Sequence, residues 1–581
     1  MCGLAGAMTR DGRAPDPAML DRLLAAIAHR GPDGQGRLVR GGVALLHARL
    51  AIVDLSTGDQ PLFAGNAALV CNGEIYNNPE LRAAMAATPF RTRSDCEPAL
   101  WRYLADGDRF ADALRGMYAL AIDDADRGRL VLSRDPFGIK QLYYTSNDRG
   151  FFFASEPQAL IAAGLVVPAV DARARAELLQ VKFTTGAATI FAGIMRLLPG
   201  ETLVVEGGAI VARYHRAALP EGRPRPLAGD GLDALERVLL DSVTVHLRSD
   251  VPFGLFLSGG IDSAALLALM HRATGQRIHA LTCGWDGVGV DETAEAARLA
   301  EAQGAICERV AMGEADFWAL APRIAAAIDD PTADAAVLPS WMLGRAARAA
   351  GLKVTLCGEG ADELFGGYAR YRKQRAPWRW LSRPPRSRGV LGAVPALDGW
   401  RDGIAALETR LGAGRSAVQA AQAADIAEWL PNDLLVKLDR CLMAHGVEGR
   451  TPFLDPAVAG FAFLLPDRHK VDLRFGKKLL RQWLARAFPE AGAFARKKGF
   501  KPPVGAWIAA RADRLAPLLA AQPGVAAVLR PEEVAVRLAQ AERASQPAWS
   551  LLFYGLWHSR HVLGLDPEGD VESVLRSAAL A

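Results

Sequence analysis

The chain has 581 residues, of which half are hydrophobic and 23% are charged, and its formal net charge is +4 at pH 7. That length exceeds what one compact core supports, so we expect at least two domains in a globular protein. The small net charge gives no whole-chain argument for nucleic acid. The seven cysteines are scattered without a CxxC pair, which disfavours a disulfide framework or a zinc knuckle.

The first residues show no targeting segment. Thr9, Arg10 and Asp11 interrupt any apolar run that a secretory signal would need. No uncharged apolar run reaches the length of about 18 residues that a spanning helix requires. We therefore expect a cytoplasmic protein that makes no membrane contact.

Residues 1–215 alternate short apolar runs with turn residues. Helices are predicted at 19–27 and 96–104. Strands are predicted at 43–47, 50–53, 69–71, 130–133 and 151–154. Strands in clusters with interspersed helices favour an α+β layered fold.

The segment 220–226 has the proline, glycine and charge content of a linker. Beyond it, strands and helices alternate, which indicates a parallel sheet. The strands are predicted at 254–257, 279–284 and 353–356, and the helices at 263–272 and 292–303. The chain after about residue 416 is predicted to be chiefly helical.

Cys2 follows Met1 directly. Removal of Met1 would leave an α-amine of pKa ~8 beside a thiol of pKa ~8.5. One residue would then supply both a nucleophile and a base, as a covalent hydrolase needs. Taken alone, however, a cysteine here is more often an arbitrary small residue.

The loop Leu257-Ser258-Gly259-Gly260-Ile261-Asp262-Ser263 lies between a predicted strand and a predicted helix. Its glycines let backbone approach a ligand, and the helix N-terminus favours an anion. Asp262 suits a cation such as Mg²⁺. The loop resembles the SGGxDS pyrophosphate loop of enzymes that cleave ATP to AMP, and it lacks the Walker lysine.

A second loop follows the predicted strand 353–356 and carries Glu359, Asp362 and Glu363 among four glycines. Ligands of parallel sheets bind beyond the carboxyl ends of the strands. Both loops are therefore expected at one edge of the sheet.

Motifs along nearly the whole chain resemble those of the glutamine-hydrolysing asparagine synthetases. Besides the two loops, they are Met1-Cys2-Gly3, His29-Arg30-Gly31-Pro32-Asp33, residues 47–54, Asn72-Gly73-Glu74-Ile75-Tyr76-Asn77, Ser94-Asp95, and residues 116–119, 134–138, 153–156, 446–455, 476–481 and 498–500. The resemblance implies an α+β N-terminal-nucleophile hydrolase sandwich (αββα) at 2–215 and a linker at 216–228. An α/β parallel-sheet domain of the adenine-nucleotide α-hydrolase type, with a helical C-terminal part, would occupy 229–581.

The resemblance also implies a glutaminase centre in the first domain. Cys2 would attack the glutamine amide, and Asn72 with Gly73 would form the oxyanion hole. The glutamine-binding set would be Arg49, Leu50, Ile52, Asn72, Gly73, Glu74 and Asp95. Arg49 would bind the α-carboxylate, and Glu74 with Asp95 would bind the α-ammonium.

In the second domain the resemblance implies formation of an acyl adenylate from ATP. The ATP-binding set would be Leu257, Ser258, Gly259, Gly260, Asp262, Ser263, Cys283, Cys357 and Gly358. Asp262 and Asp362 would share Mg²⁺, and Lys477 would neutralise developing charge, with Lys478 as the adjacent alternative. Glu359 would take a proton from the attacking ammonia.

The implied activity is synthesis of asparagine from aspartate, ATP and glutamine, with an internal passage for ammonia and with a homodimer as the assembly. Cys357, Gly449 and Thr451 depart from the family's usual residues and leave the acceptor open. The alternative is amidation of another carboxylate, such as a peptide, a uronic acid or a polymer precursor. A non-catalytic scaffold is disfavoured because Cys2, Asp262 and Lys477 are present.

A basic stretch at 370–388 contains eight Lys or Arg residues, no acidic residue, and interleaved Tyr371, Trp378 and Trp380. Such a composition is typical of a solvated surface loop and also of a surface for an anionic polymer. We expect the former and no nucleic-acid partner.

Overall fold

The computed structural model describes residues 2–227, 229–285, 292–376, 386–495 and 502–581. Predictions that concern Met1, the stretch 377–385 with Trp378 and Trp380, and the motif 498–500 lie outside these described residues. Within the described ranges, no helix combines the length and the apolar character that a membrane crossing requires.

The first 215 residues form two antiparallel sheets of six strands each, counted over the described residues. The strands are β1 (Gly3–Thr9), β2 (Gly34–Arg40), β3 (Val43–Arg49), β4 (Leu62–Ala64), β5 (Ala67–Ile75), β6 (Gly116–Asp124), β7 (Arg129–Arg134), β8 (Tyr143–Asn147), β9 (Gly150–Ala154), β10 (Met195–Arg196), β11 (Glu201–Glu206) and β12 (Ala209–His215). One sheet has the order β10-β8-β9-β1-β3-β2 and the other β12-β11-β7-β6-β5-β4.

The two sheets pack face to face because alternate side chains of each strand are apolar. Leu4 and Phe153 from one sheet meet Val70 and Leu132 from the other in one buried core. Helices cover the outer faces: α1 (Pro17–Ile27), α2 (Asn78–Ala84), α3 (Glu97–Asp106), α4 (Pro157–Ala162) and α5 (Ala172–Val181). The predicted αββα layering is confirmed.

Most predicted elements of this half are confirmed, but the strand at 50–53 is wrong. That segment is irregular because its carbonyl groups accept hydrogen bonds from groups outside the sheet and not from a neighbouring strand. The Leu50 carbonyl accepts from the Cys2 thiol at 3.9 Å, and the Ile52 carbonyl accepts from the Asp250 N–H at 3.0 Å. The apolar side chains of Leu50 and Ile52 are nevertheless buried, which is the pattern that suggested a strand.

The described residues of the second half form a parallel five-stranded sheet in the order β15-β14-β13-β16-β17. Its strands are β13 (Phe253–Phe256), β14 (His279–Trp285), β15 (Ile306–Met312), β16 (Val354–Leu356) and β17 (Glu448–Arg450). The order reverses between β13 and β16, and ligands bind at such a switch point. The loops that follow β13 and β16 are the two loops that the sequence predicts to bind nucleotide.

Helices surround this sheet and form the C-terminal part. They are α6 (Leu232–His246), α7 (Ile261–Thr274), α8 (Thr293–Ala302), α9 (Glu314–Ala327), α10 (Val337–Ala349), α11 (Ala361–Phe365), α12 (Ala369–Arg375), α13 (Asp402–Gly412), α14 (Ala417–Ala424), α15 (Leu435–Met443), α16 (Pro456–Phe463), α17 (Asp467–Lys470), α18 (Lys478–Ala487), α19 (Val504–Ala510), α20 (Ala512–Ala521), α21 (Pro523–Ala526), α22 (Pro531–Ala539), α23 (Ser545–His561) and α24 (Val571–Leu580). A π-helix at Asp425–Leu434 joins α14 to α15.

Buried polar contacts and apolar packing join the two halves. Arg196 donates to both carboxylate oxygens of Asp330, at 2.8 and 2.6 Å, and Tyr143 donates to the same carboxylate at 2.7 Å. Phe191 packs against Trp557 with ring centroids 5.3 Å apart. These contacts hold the sandwich against the second half of the chain.

Candidate active sites

Cys2 immediately precedes β1, and hydrogen bonds to its backbone hold it in place. Its N–H donates to the Asn72 Oδ1 atom at 2.9 Å, and its carbonyl accepts from the Arg30 Nε atom at 3.1 Å. The thiol is buried, and burial raises the pKa of the Cys2 thiol above its ordinary value. Because the thiolate is the nucleophile, this cysteine needs an adjacent base in order to react.

Asn72 and Gly73 lie on β5, and Asn72 contacts Cys2. Asn72 is fully buried, and its Nδ2 group has no hydrogen-bond partner among the described residues. Buried donors are normally paired, so the unpaired Nδ2 donor, on a side chain whose Oδ1 atom accepts from the Cys2 N–H, suits an oxyanion. Gly73 has a φ of +152°, and a Cβ atom there would lie 2.0 Å from the Met117 carbonyl oxygen.

Arg49 is anchored near this centre by its own chain. It donates to Asp59 at 2.7 Å and to the Asp54 carbonyl at 2.5 Å. Asp59 is 82% exposed at its side chain, so this ion pair is weak and can yield to a substrate carboxylate. Its guanidinium fork suits that role.

Glu74 and Asp95 are buried carboxylates placed side by side. Burial and the charge of Asp95 raise the pKa of Glu74 well above its ordinary value, and burial raises the pKa of Asp95 to about 6. The Arg450 Nη2 atom, from β17 in the other half, lies 3.0 Å from Glu74. A substrate ammonium between the two acids would relieve their repulsion, which fits the role predicted for them.

The loop after β13 forms a compact cradle at the N-terminus of α7. The Ser258 N–H donates to the Ser263 hydroxyl at 3.2 Å, and that hydroxyl donates to the Gly260 carbonyl at 3.1 Å. Gly259 has a φ of +68°, a conformation that favours glycine. The start of α7 has no side-chain cap, so its N–H groups remain suited to phosphate oxygens.

The Lys477 ammonium lies between the two loops. Its Nζ atom lies 2.5 Å from Asp262 and 2.7 Å from Asp362, and its side chain is 5% exposed. Lys477 has a φ of +54° and precedes α18. A Cβ atom at Gly367 would lie 1.6 Å from the Asp362 Oδ1 atom, so glycine is required where this cluster packs. By contrast, Lys478 reaches only Asp472, at 3.6 Å.

The acidic pair fits the requirements of Mg²⁺. The structure brings Asp262 and Asp362 from different loops to one ammonium, so their carboxylates converge. Mg²⁺ in nucleotide sites is usually bound by one or two carboxylates together with phosphates and water. The described residues contain no cluster of three or more candidate metal ligands, so phosphates would have to complete the shell.

The remaining predicted ATP residues line the same edge. Leu257 is buried and donates its N–H to the Leu281 carbonyl at 2.9 Å. Cys283 and Cys357 are buried, and burial raises the pKa of Cys283 to about 12. A Cβ atom at Gly358 would lie 3.1 Å from the Asp262 Cβ atom, so the two loops touch there. Both thiols are therefore neutral packing groups.

Glu359 lies at the junction of these loops and is half-buried. Burial raises the pKa of Glu359, whereas the charge of Lys437 lowers it. A carboxylate with a raised pKa beside the nucleotide loops is suited to accept a proton near neutral pH.

A chain of buried ion pairs joins the two halves, and some of its members lie outside every motif identified in the sequence. Arg30 donates to Glu156 at 2.7 Å and to Asp439 at 2.8 and 3.0 Å. Arg440 donates to Asp439 and to Asp329, each at 2.7 Å. Arg30 belongs to a predicted motif, but Asp439 and Arg440 lie in a helix without one.

A small cavity of about 10 Å³ lies at this junction. It is lined from one half by Ile139 and Lys140 and from the other by Leu435, Leu438, Asp439 and Gly449. A space of that volume holds about one small molecule the size of water. It lies between the halves, where the predicted ammonia passage would run.

The basic stretch is partly engaged inside the chain. Arg370 and Arg386 each donate to Asp425 at 2.6 Å, and Arg370 stacks on Trp429 at 4.1 Å. Arg375 donates to the Val471 carbonyl at 2.5 Å. These arginines hold the fold together and are not free for an external polymer.

The fold and the two sites define a glutamine-using, ATP-dependent ligase. The glutamine amidotransferase domain family matches residues 1–215, and the asparagine synthase family matches residues 234–559. The chain belongs to the asparagine synthase family.

Curated relatives agree with this membership. Asparagine synthetase (glutamine-hydrolysing) 1 of Bacillus subtilis strain 168 is 29% identical over 97% of each chain. Asparagine synthetase B of Escherichia coli K12 is 28% identical over 83% of this chain and 78% of that protein. The amidase chry2 of Gibberella zeae is 30% identical over 64% of this chain and 60% of its own length.

Proposed function

We propose that the chain is a glutamine-dependent asparagine synthetase. One observation carries the proposal: a cysteine beside an unpaired amide donor and a lysine-bridged pair of aspartates at a predicted nucleotide loop lie in one chain, whose two halves are joined by buried ion pairs. Because either site could act alone, their presence in one chain supports a coupled reaction in which the first site supplies the second.

The first centre makes ammonia. With Met1 removed, the α-amine of Cys2 accepts the thiol proton and the sulfur attacks the glutamine side-chain carbonyl. The Asn72 Nδ2 group, which is free among the described residues, stabilises the oxyanion. Ammonia leaves as the thioester forms, and water then cleaves the thioester to release glutamate and the thiol.

The second centre consumes that ammonia. The side-chain carboxylate of aspartate attacks the α-phosphorus of ATP, and pyrophosphate leaves with its charge beside Lys477 and the cradle of Ser258 and Ser263. Ammonia then displaces AMP from the aspartyl adenylate, and Glu359 takes the surplus proton. Asp262 and Asp362 would hold Mg²⁺, which supplies charge neutralisation for the phosphates when it is bound.

A screen of pyrophosphate release tests this assignment. The purified chain with ATP, Mg²⁺ and glutamine is expected to release pyrophosphate and form AMP and asparagine when aspartate is present. Asp262→Ala is expected to lose this release with every acceptor and to retain glutamine hydrolysis. Formation of ADP instead of AMP would contradict the proposal.

The alternative is amidation of a different carboxylate by the same two centres. It is supported by the match to an amidase and by the departure of Gly449 from the family's usual residue. A panel that includes peptides, uronic acids and aspartate separates the two candidates. Release that depends on an acid other than aspartate would favour the alternative.

A further inference from the structure

Two fully buried polar side chains, Gln422 on α14 and Lys470 at the end of α17, lie behind the second centre. The Gln422 Nε2 atom donates to the Glu363 carbonyl at 2.6 Å and to the Leu364 carbonyl at 2.8 Å. The Lys470 Nζ atom donates to the Gln422 Oε1 atom at 3.0 Å. Neither Gln422 nor Lys470 belongs to a motif identified in the sequence, and neither has a role in the reaction proposed above.

The two carbonyl groups that Gln422 binds lie near the end of α11. This helix is short, spanning Ala361–Phe365, and Gly366 ends it with a φ of +80°. The last carbonyls of a helix have no partner within the helix, and buried carbonyls need one. Glu363 and Leu364 are both buried, so one amide group of Gln422 satisfies two carbonyls that would otherwise lack a donor.

Lys470 fixes the orientation of the Gln422 amide. Because backbone carbonyls only accept hydrogen bonds, the Nε2 atom must face α11 and the Oε1 atom must face away from it. Lys470 provides the donor for that oxygen, and it also donates to the Phe463 carbonyl at 2.6 Å. The lysine is therefore held at two points and keeps the amide of Gln422 turned towards α11.

The end of α11 determines where two groups of the second centre lie. Asp362 belongs to α11, and its carboxylate lies 2.7 Å from the Lys477 ammonium. The Lys477 N–H donates to the carbonyl of Phe365, the last residue of the helix, at 3.2 Å. A Cβ atom at Gly476 would lie 2.3 Å from the Gly366 carbonyl oxygen, so the chain before Lys477 packs closely there. A shift of α11 would thus move Asp362 and Lys477 together.

We propose that Gln422 is a positioning residue of the second centre and that Lys470 orients it. By holding the end of α11, Gln422 places Asp362 and Lys477 for the displacement at the α-phosphorus. The inference rests on the proposed function, which gives those two groups their roles. Misplacement of reacting groups by about 1 Å can cost about 10²-fold in rate, so a residue that touches no substrate can still control kcat.

Gln422→Glu tests the proposal with little change of shape. The new carboxylate still accepts from Lys470, but it has no proton to donate to the Glu363 and Leu364 carbonyls. Gln422→Met removes the same donors without adding a charge, and it replaces Gln422→Glu if a buried carboxylate prevents folding. Lys470→Met leaves the donors in place and removes the group that orients them.

Gln419→Glu is the matched control. Gln419 is also fully buried and lies one turn earlier on α14. Its side chain donates to the Phe463 carbonyl at 3.0 Å and accepts from the Ser416 N–H at 3.1 Å, and within the described residues no hydrogen bond joins it to α11. The control therefore places the same charge in the same helix without disturbing the carbonyls of α11.

Two measurements are made on each variant. Hydrogen exchange of the segment 361–367 is followed without substrates, and kcat for pyrophosphate release is measured with ammonia as nitrogen donor. We expect Gln422→Glu and Gln422→Met to exchange faster in this segment and to lose roughly tenfold or more in kcat. Lys470→Met should change both in the same direction but less. Gln419→Glu should match wild type in both, and all four should keep the glutaminase rate.

Three results would overturn the positioning role. Wild-type exchange and kcat in Gln422→Glu would show that the two hydrogen bonds do not matter. A lower kcat without faster exchange would show that Gln422 does not act through α11. Equal losses of kcat in Gln422→Glu and Gln419→Glu would show that any charge buried in α14 has this effect. If Lys470→Met alone matches wild type, the orienting role of Lys470 is wrong.

The two measurements also separate this inference from the proposed function. Hydrogen exchange needs no acceptor, and kcat is measured with whichever carboxylate the wild type uses. If the wild type releases no pyrophosphate with any carboxylate, the proposed function is wrong. If it releases pyrophosphate and the Gln422 variants match it, only the positioning role is wrong.

Discussion

The Arg30 guanidinium donates to both carboxylate oxygens of Asp439, at 2.8 and 3.0 Å, and also donates to the Cys2 carbonyl at 3.1 Å. Arg30, which holds the backbone of Cys2, the proposed glutaminase nucleophile, is thereby anchored by Asp439 of the synthetase half. Burial opposes the charge of Asp439, but Arg30 and Arg440 outweigh it and lower its pKa to about 2. The position of Cys2 therefore depends on contact between the two halves.

Removal of the Asp439 carboxylate is expected to lower the stability of the fold and to weaken the coupling between glutamine hydrolysis and asparagine synthesis. Asp439→Ala leaves Arg30 and Arg440 buried with fewer counter-charges, and breaking a buried pair typically costs about 3–5 kcal/mol. Loss of the Arg30–Asp439 pair also makes the position of Cys2 less fixed, so more glutamine is expected to be hydrolysed per asparagine formed. Denaturant unfolding and the ratio of glutamate to asparagine check these two effects.

Asp33→Ala is the matched control, because Asp33 makes an exposed interdomain pair with Lys353 at 2.8 Å. Exposed pairs contribute about 0–1 kcal/mol, so its unfolding free energy and product ratio should stay close to wild type. Equal effects of the two substitutions would show that burial of the Arg30–Asp439 pair does not matter.

Cys2 is expected to act only in making ammonia. Cys2→Ala should abolish glutamine-dependent synthesis and leave ammonia-dependent synthesis intact, since the second centre contains no group from Cys2. Cys307→Ala, at a half-buried position on β15, should keep both activities. Intact mass should show that Met1 is absent from active enzyme. Glutamine hydrolysis by Cys2→Ala, or full activity with Met1 retained, would refute the role.

Substitution of Lys477 is expected to lower kcat much more than substitution of Lys478. Lys477→Ala removes the ammonium shared by Asp262 and Asp362, and loss of one such charge contact commonly lowers kcat by about 10²–10³. Lys478→Ala removes only a pair with Asp472 at 3.6 Å and should change kcat little. Pyrophosphate release measures the difference, and the glutaminase rate reports folding. A larger loss with Lys478→Ala would reverse the assignment.

The features that could be predicted from the sequence are those determined by residues close together in the chain. The glycines and serine hydroxyls of 258–263 determine the conformation of their own loop, so the loop and the helix after it were predictable. The predicted strand at 50–53 was wrong. Its buried apolar residues are typical of a strand, but its carbonyl groups accept hydrogen bonds from Cys2 and Asp250 and do not join a sheet.

Contacts between distant residues were not predictable. Arg30 and Asp439 are 409 positions apart, and only the packing of the halves reveals the pair. The same holds for Arg440 and Asp329, which are 111 positions apart. Long-range charge pairs leave no periodic pattern in a single sequence, so these contacts emerge only from the fold.

Lys470 is expected to make stability depend on pH. Its ammonium is fully buried, donates to the Gln422 Oε1 atom at 3.0 Å and to the Phe463 carbonyl at 2.6 Å, and burial lowers the pKa of Lys470 to about 7. An unfolded lysine titrates near ~10.4, so between about pH 7 and ~10.4 the unfolded chain binds more protons than the folded one. By linkage, the free energy of unfolding rises with pH in that window, by at most about 1.4 kcal/mol per pH unit.

Lys470→Met removes the titrating group and should flatten this dependence. The stability of wild type relative to the variant is then expected to increase from pH 7 to pH 10, and to be constant below about pH 7, where both states are protonated. Thermal or urea unfolding at a series of pH values measures the difference. Lys373→Met, at an exposed site, should run parallel to wild type. Parallel curves for wild type and Lys470→Met would show that the buried ammonium keeps its ordinary pKa, because a group that titrates alike in both states cannot tilt the folding equilibrium.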